Sequence, residues 1–170
     1  IQMCAGYYSY KSGHKPIFKG SEDFVGQIIH PQEWNSSIDY ENKKVAVIGS
    51  GATAVTLIPE IAKKASHVTM IQRSPTYIAS APSKYKILHL LNYISPKLGY
   101  KIIRSINILR QRRIYRRAMR SPELVKNYLL DLVRDELPGF DIEKHFTPTY
   151  NPWEQRLCLA PDSDFFESIN

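Results

Sequence analysis

Residues 43–73 read KKVAVIGSGATAVTLIPEIAKKASHVTMIQR: an apolar run, Gly-x-Gly-x-x-Ala, a helix-like stretch, and a second apolar run that ends on arginine. Val45, Val47 and Ile48 are β-branched and, with Ala46, make the short continuous apolar run expected of a strand buried on both faces. Gly49 lets the chain turn sharply out of that strand, and Gly51, lacking a side chain, lets the backbone come close to a pyrophosphate. Ala54 takes the place of the third small residue and permits close packing of helix on strand. A helix is predicted over 52–64, its amino end directed so that free N–H groups and the helix dipole meet negative charge. Pro59 inside it removes one helical hydrogen bond. Residues 68–71 supply the second strand. The layout is that of a dinucleotide-binding βαβ unit, an α/β fold of Rossmann type.

The end of the second strand decides the cofactor. A site for NAD places Asp or Glu there to bind the ribose 2′-hydroxyl, whereas a 2′-phosphate is repelled by a carboxylate and drawn to arginine. Here the sequence is Gln72-Arg73-Ser74, with Arg73 twenty-four residues after Gly49 and no carboxylate beside it. This favours NADP. The alternative is a glycine turn in some other α/β protein, with Arg73 a solvated surface charge.

The composition of the 170 residues, 43% hydrophobic and 23% charged, suits one domain with a sizeable core. Cys4 and Cys158 lie in apolar, strand-like contexts without metal-ligand spacing, which fits free thiols in a reducing, cytoplasmic compartment. His14, His30, His67, His89 and His145 form no spaced pair with cysteine or carboxylate, so no metal site is expected. No apolar stretch is long enough for a bilayer, and no signal-peptide pattern opens the chain. It begins without methionine on Ile1-Gln2-Met3-Cys4-Ala5-Gly6, which reads as mid-strand and suggests an internal piece of a larger protein.

The net charge of +7 is uneven: residues 97–120 hold nine basic residues, from Lys97 to Arg120, and no acidic one. Ile102, Ile106 and Leu109 fall on one helical face, so an amphipathic helix is predicted. Its cationic side is read as solvated or paired with an acidic surface elsewhere in the protein, with peripheral membrane contact as the alternative. No aromatic interleaving of the kind that stacks bases accompanies the arginines, and no nucleic-acid partner is expected.

Along the chain, residues 1–6 read as a strand and 7–37 as an irregular connection. The βαβ unit follows and leaves through Ser74-Pro75. A mostly helical block over 85–137 is broken at Ser95-Pro96 and Ser121-Pro122 and ended by Pro138-Gly139. Residues 141–152 are turn-rich, 155–159 are a strand candidate, and 162–169 a helix capped by Asp162 or Ser163. Two strands are too few for a complete doubly wound sheet.

Ahead of the glycine turn stands Phe24-x-Gly26-x-x-x-His30-x-x-x-Trp34. This spacing resembles the fingerprint of the type I Baeyer-Villiger monooxygenases, flavoproteins that insert oxygen beside a carbonyl, although Asn35 departs from the Pro or Asp usual after the tryptophan. The wider text, with GSEDFVG, IIHPQ, VIGSGATAVTL, HVTMIQRSPTYI and NPWEQRLCL, is similar to the ethionamide-activating branch. The resemblance implies a Rossmann-like NADP-binding domain with a helical insertion, flanked by an FAD domain that lies mostly outside this chain. By that comparison 1–42 is the end of an FAD-domain strand and the interdomain linker, 43–84 the NADP-binding unit, 85–138 the insertion, and 139–170 the return toward the flavin.

It also implies that NADPH, FAD and molecular oxygen serve to oxidise a ketone or a sulfur-containing small molecule, and that the piece alone is inactive. Gly49, Gly51, Ala52 and Thr53 match the pyrophosphate turn; Arg73 and Ser74 match 2′-phosphate contacts. Arg156 matches the family's arginine at the flavin, whose permanent charge and several donors stabilise negative charge on oxygen. Gln155 stands where the family often has a second, lysine contact. Read on its own residues, Arg156 is more often a structural ion-pair partner, His30 a group that hydrogen-bonds a loop backbone, and Trp34 and Trp153 packing anchors. Two other readings remain: a related flavin monooxygenase that oxidises nitrogen or sulfur, and a basic membrane- or partner-binding module.

Overall fold

The structure, a computed structural model, describes residue 9 and residues 11–85 and 95–170. The predicted strand over 1–6, Cys4, His89 and residues 86–94 of the helical block lie outside the described residues. The chain divides into two units, residues 1–39 and 40–170.

In the first unit, regular structure among the described residues is two 3-10 turns, Ser21–Asp23 and Pro31–Glu33. None of its described residues is buried. A Cβ on Gly26 would lie 2.4 Å from the Phe24 ring, and one on Gly13 2.0 Å from the His30 ring. The Phe24-x-Gly26 spacing therefore lets an aromatic ring fold back over bare backbone. His30 Nδ1 accepts a hydrogen bond from the Gln32 N–H at 3.2 Å and caps the second turn, the loop-backbone role read for it from sequence.

The second unit opens with β1 (Lys44–Ile48), α1 (Ala52–Ala62) and β2 (His67–Ile71). The strands are parallel, with Lys44 opposite His67 and Ile48 opposite Ile71. Val47, Val68 and Met70 pack against a core that includes Ala54, Val55 and Ile58 of α1. Pro59 is accommodated inside α1, where it is buried. The opposite face of the pair, with Ala46, Ile48, Thr69 and Ile71, is exposed. The sequence expectation of a strand covered on both sides is not met among the described residues.

A second parallel pair joins β3 (Tyr77–Ala81) to β4 (Leu157–Pro161), with Tyr77 opposite Leu157. β3 was not anticipated from the sequence, and β4 starts two residues later than predicted, so Arg156 precedes the strand. Between them run α2 (Pro96–Arg120), α3 (Pro122–Glu136) and α4 (Ile142–Phe146). The two Ser-Pro steps do what was expected of them: Ser95 Oγ accepts from the Leu98 N–H, and Pro96 and Pro122 occupy first-turn positions where no N–H is needed. α4 falls where only turns were predicted; Asp141 caps it by accepting from the Lys144 N–H at 3.1 Å.

The last helix, α5, spans Asp164–Glu167 only. Neither expected side chain caps it. Asp162 and Ser163 are left-handed, with φ of 50° and 66°. The Asp162 carboxylate accepts from Ser83, and the Ser163 hydroxyl bonds Glu136 and Ser80.

α3 is the element that unifies this unit. Leu130, Val133 and Leu137 enter a core with α1, β3, β4 and the Phe146, Phe165 and Phe166 rings, while Val125 and Leu129 enter a second core with Tyr77, Ala79, Ala118 and Tyr150. The 85–138 stretch is thus partly internal to the α/β unit. α2 differs from expectation. Its buried residues are Gly99 and Ala118 alone, and Ile106 and Leu109 are about half exposed. Arg110 and Arg113 follow Ile106 and Leu109 by one turn and share their face, so that stripe is not buried. No helix among the described residues is long and apolar enough to cross a membrane.

Candidate functional site

The carboxyl ends of parallel strands, where a chain turns from strand to helix, are where ligands gather in α/β folds. At the end of β1, Gly49 has φ of +135°, a conformation that L side chains rarely adopt, and its N–H donates to Ile71 O at 2.8 Å, clipping the ends of β1 and β2 together. Gly51 differs: its φ of −84° is ordinary, and nothing lies within 4 Å of the place a Cβ would take. The elbow is open on the side toward which α1 points its amino end.

The N–H groups of Gly51, Ala52 and Thr53 have no backbone acceptor among the described residues; the first helical bond runs from Val55 N to Gly51 O at 3.1 Å. Ala52 and Thr53 are exposed and Ala54 is buried against the sheet, as the spacing of the motif requires. Such an end of a helix suits an anion.

Arg73, two residues beyond β2, is exposed and makes no ion pair among the described residues. Both its neighbours are tethered. Gln72 Nε2 donates to His145 O at 2.8 Å, and Ser74 O accepts from the Ser50 hydroxyl at 3.1 Å. Ser50 and Thr76 are buried, with their hydroxyl oxygens 3.2 Å apart. Sequence reasoning missed both, since serine between two glycines reads as part of a loop and nothing local says that it faces inward.

Arg156 is exposed, and its place is fixed by its backbone. The β3–β4 register puts Arg156 beside Thr76, each just ahead of the Tyr77–Leu157 pair. Tyr150 OH donates to Arg156 O at 2.9 Å, and Tyr77 OH donates to Tyr150 O at 2.8 Å. The two tyrosine rings meet edge to face at 5.4 Å. The turn before Arg156 is held by Glu154, which accepts from the Asn151 backbone and side chain and whose carboxyl is thereby kept below its usual range. Trp153 packs against the second core and edge to face on Tyr115, the anchoring role read for it. Cys158 is free and buried; burial pushes its thiol up, with Arg156 opposing. No group of three or more His, Cys, Asp or Glu side chains that could hold a metal is present among the described residues.

The Tyr77 phenol is pushed up to about 12, by burial first and then by Tyr150, Glu123 and Glu154. A phenol raised above its unfolded value of 10 contributes stability that is complete below pH 10 and is lost as pH climbs through about 12. Tyr77→Phe is therefore expected to flatten the alkaline limb of a plot of thermal midpoint against pH, while lowering the midpoint at neutral pH through loss of the bond to Tyr150 O. Superimposable alkaline limbs for the two proteins would assign that loss to other groups.

The glycine elbow, the helix amino end, Ser74 and the unpaired Arg73 come together at one end of the β1–β2 pair, and the β3–β4 register brings the Arg156 backbone next to Thr76. A family model described as flavin-binding monooxygenase-like matches residues 1–139. The FAD-containing monooxygenase EthA of Mycobacterium tuberculosis is 51% identical over 170 residues, covering 98% of this chain and 35% of that protein. A probable FAD-binding monooxygenase, AlmA, of Acinetobacter baylyi is 50% identical over 171 residues, covering 99% of this chain and 34% of that one. The chain thus spans about a third of the length of the relatives it matches.

Among solved structures, an oxidised steroid monooxygenase bound to NADP superposes with a TM-score of 0.69 at 17% identity, over 93% of this chain and 37% of that one. The cyclohexanone monooxygenase of Rhodococcus sp. Phi1 bound to NADP+ gives 0.66 at 19% identity, over 94% and 36%. At these identities the likeness is one of fold. The family match and the close relatives go further: this chain belongs to the flavin-binding monooxygenase-like family.

Proposed function

We propose that residues 43–84 bind NADP(H), with 85–138 inserted into that domain and 139–170 leading back to a flavin site, and that the whole protein is an FAD- and NADPH-dependent monooxygenase. The observation that carries the reading is the open elbow at Gly51, with free N–H groups on one side and an exposed, unpaired Arg73 tethered at its flanks on the other. Gly49, Gly51, Ala52 and Thr53 would hold the pyrophosphate, and Arg73 with Ser74 the 2′-phosphate. When bound, NADPH supplies the hydride and FAD the centre at which oxygen is activated. Arg156, whose backbone oxygen is held by Tyr150, carries a permanent positive charge and would stabilise negative charge on the reacting oxygen.

The reaction supported best is oxygen insertion beside a ketone carbonyl, with sulfur oxidation as a second reaction to test. The support is the Phe24-to-Trp34 fingerprint, together with a fold shared with a cyclohexanone monooxygenase and a steroid monooxygenase. The whole protein, loaded with FAD and given NADPH and a cyclic or aryl ketone, is expected to yield the ester. If the ketone is returned unchanged while an amine or sulfide is oxygenated, the protein belongs with the nitrogen- and sulfur-oxidising members instead. Membrane docking through α2 has less support, since that helix offers no continuous apolar stripe to insert.

A further inference from the structure

We propose that the Ser50–Thr76 hydroxyl pair is a clasp that positions the loop bearing Arg73 and Ser74 against the glycine turn, and so sets the preference for a 2′-phosphorylated dinucleotide. The inference rests on the NADP reading above and concerns residues that would not touch the ligand. Ser50 sits between two glycines, and its side chain points inward, 5% exposed, where it lies 3.1 Å from Ser74 O and 3.2 Å from Thr76 Oγ1. Ser50 has a single hydroxyl proton. A carbonyl can only accept, so that proton goes to Ser74 O, and Thr76 must then donate to Ser50 Oγ. The chain of donors runs Thr76 to Ser50 to Ser74 O and leaves neither hydroxyl proton idle.

This chain bridges 24 and 26 residues of sequence and binds the phosphate turn directly to the loop after β2. The same loop is held upstream by Gly49 N to Ile71 O and by Gln72 to His145 O. Arg73 is therefore an exposed guanidinium on a fixed base. A base fixed in advance spares the ligand the cost of ordering it, and a small displacement of a charged clamp is felt strongly by a rigid anion. The gain falls on the 2′-phosphate, the group that the loop faces and that NAD+ lacks.

The test uses the whole protein and measures dissociation constants by calorimetry for NADP+, NAD+ and 2′,5′-ADP, the last a probe of the 2′-phosphorylated adenosine end without the nicotinamide half. Ser50→Ala and Thr76→Val are each expected to weaken NADP+ and 2′,5′-ADP roughly 3- to 10-fold, about the worth of one hydrogen bond, and to leave NAD+ nearly unchanged. Thr76→Ser keeps the donor and should retain the native ratio. Because Ser50→Ala leaves the buried Thr76 hydroxyl without its partner, the double variant Ser50→Ala/Thr76→Val, which removes both hydroxyls, serves if that single variant does not fold. Equal losses for NADP+ and NAD+, or none, would overturn the clasp. Arg73→Ala separates the two levels: if it leaves the NADP+ to NAD+ ratio unchanged, the cofactor reading itself falls, whereas a collapsed ratio there with a native ratio in Ser50→Ala removes only the clasp.

Discussion

Gly51→Ala is expected to weaken NADP+ binding by about 100-fold or more, the equivalent of losing one or two charge-assisted hydrogen bonds, while leaving the fold as stable as before. The argument depends on the contrast between two glycines of one motif. Gly51 has ordinary dihedrals and open space where a Cβ would go, so nothing in the protein resists the substitution. Alanine there even restricts the unfolded chain and should stabilise by about 0.4–1 kcal/mol. What a methyl group would occupy is the space through which a pyrophosphate reaches the N–H groups of Gly51, Ala52 and Thr53. Gly49 also has open space around it, but its φ of +135° is one that alanine does not tolerate. Gly49→Ala should lower stability by about 1–3 kcal/mol and weaken binding only through the distorted turn. Thermal midpoints and NADP+ titrations of the two variants should move in opposite patterns; a Gly51→Ala protein that binds NADP+ normally would remove the pyrophosphate from this elbow.

Arg73→Glu should reverse the coenzyme preference. An exposed arginine without an ion-pair partner loses nothing of the fold when replaced, so the effect should appear in binding rather than in stability. Loss of the charged hydrogen bonds is worth about 1.5–3 kcal/mol, and repulsion between carboxylate and 2′-phosphate adds to it, so NADPH should weaken by roughly two to three orders of magnitude. NADH should gain modestly, since a carboxylate at this place can accept from the ribose 2′-hydroxyl. The ratio of kcat/KM for the two coenzymes in the whole protein reads this out. A ratio still favouring NADPH would mean that Arg73 does not reach the adenosine ribose.

The parts of this fold that could be read from sequence are those whose signals are local. β1, α1 and β2 follow one another within thirty residues, with glycines where the backbone needs them, and the Ser-Pro steps at Ser95 and Ser121 mark the helix starts because proline removes a donor at the position where none is used. β3 was hidden because its five residues begin right after a Ser-Pro turn and include Ser80, and because its partner is eighty residues away. α4 is too short to show a period, and its existence depends on Asp141 as a cap and on Phe146 filling the core. The stripe of Ile102, Ile106 and Leu109 had the right spacing, yet Arg110 and Arg113, one turn on from Ile106 and Leu109, share its face and α2 stays in solvent. In the site, the glycines and Arg73 announce themselves by type. Ser50, Thr76 and Tyr150 do not, because their importance comes from what tertiary folding sets opposite them.

The separation of β3 from β4 also has a consequence for biosynthesis. Leu157 leaves the ribosome eighty residues after Tyr77, which at about 5–20 residues per second is a delay of roughly 4–16 s. Throughout that interval the nascent βαβ segment can assemble while β3 waits as a lone sticky edge, with Tyr77 and Ile78 unshielded. The growing polypeptide is most exposed to misassociation, and most in need of chaperone protection, before β4 has been translated.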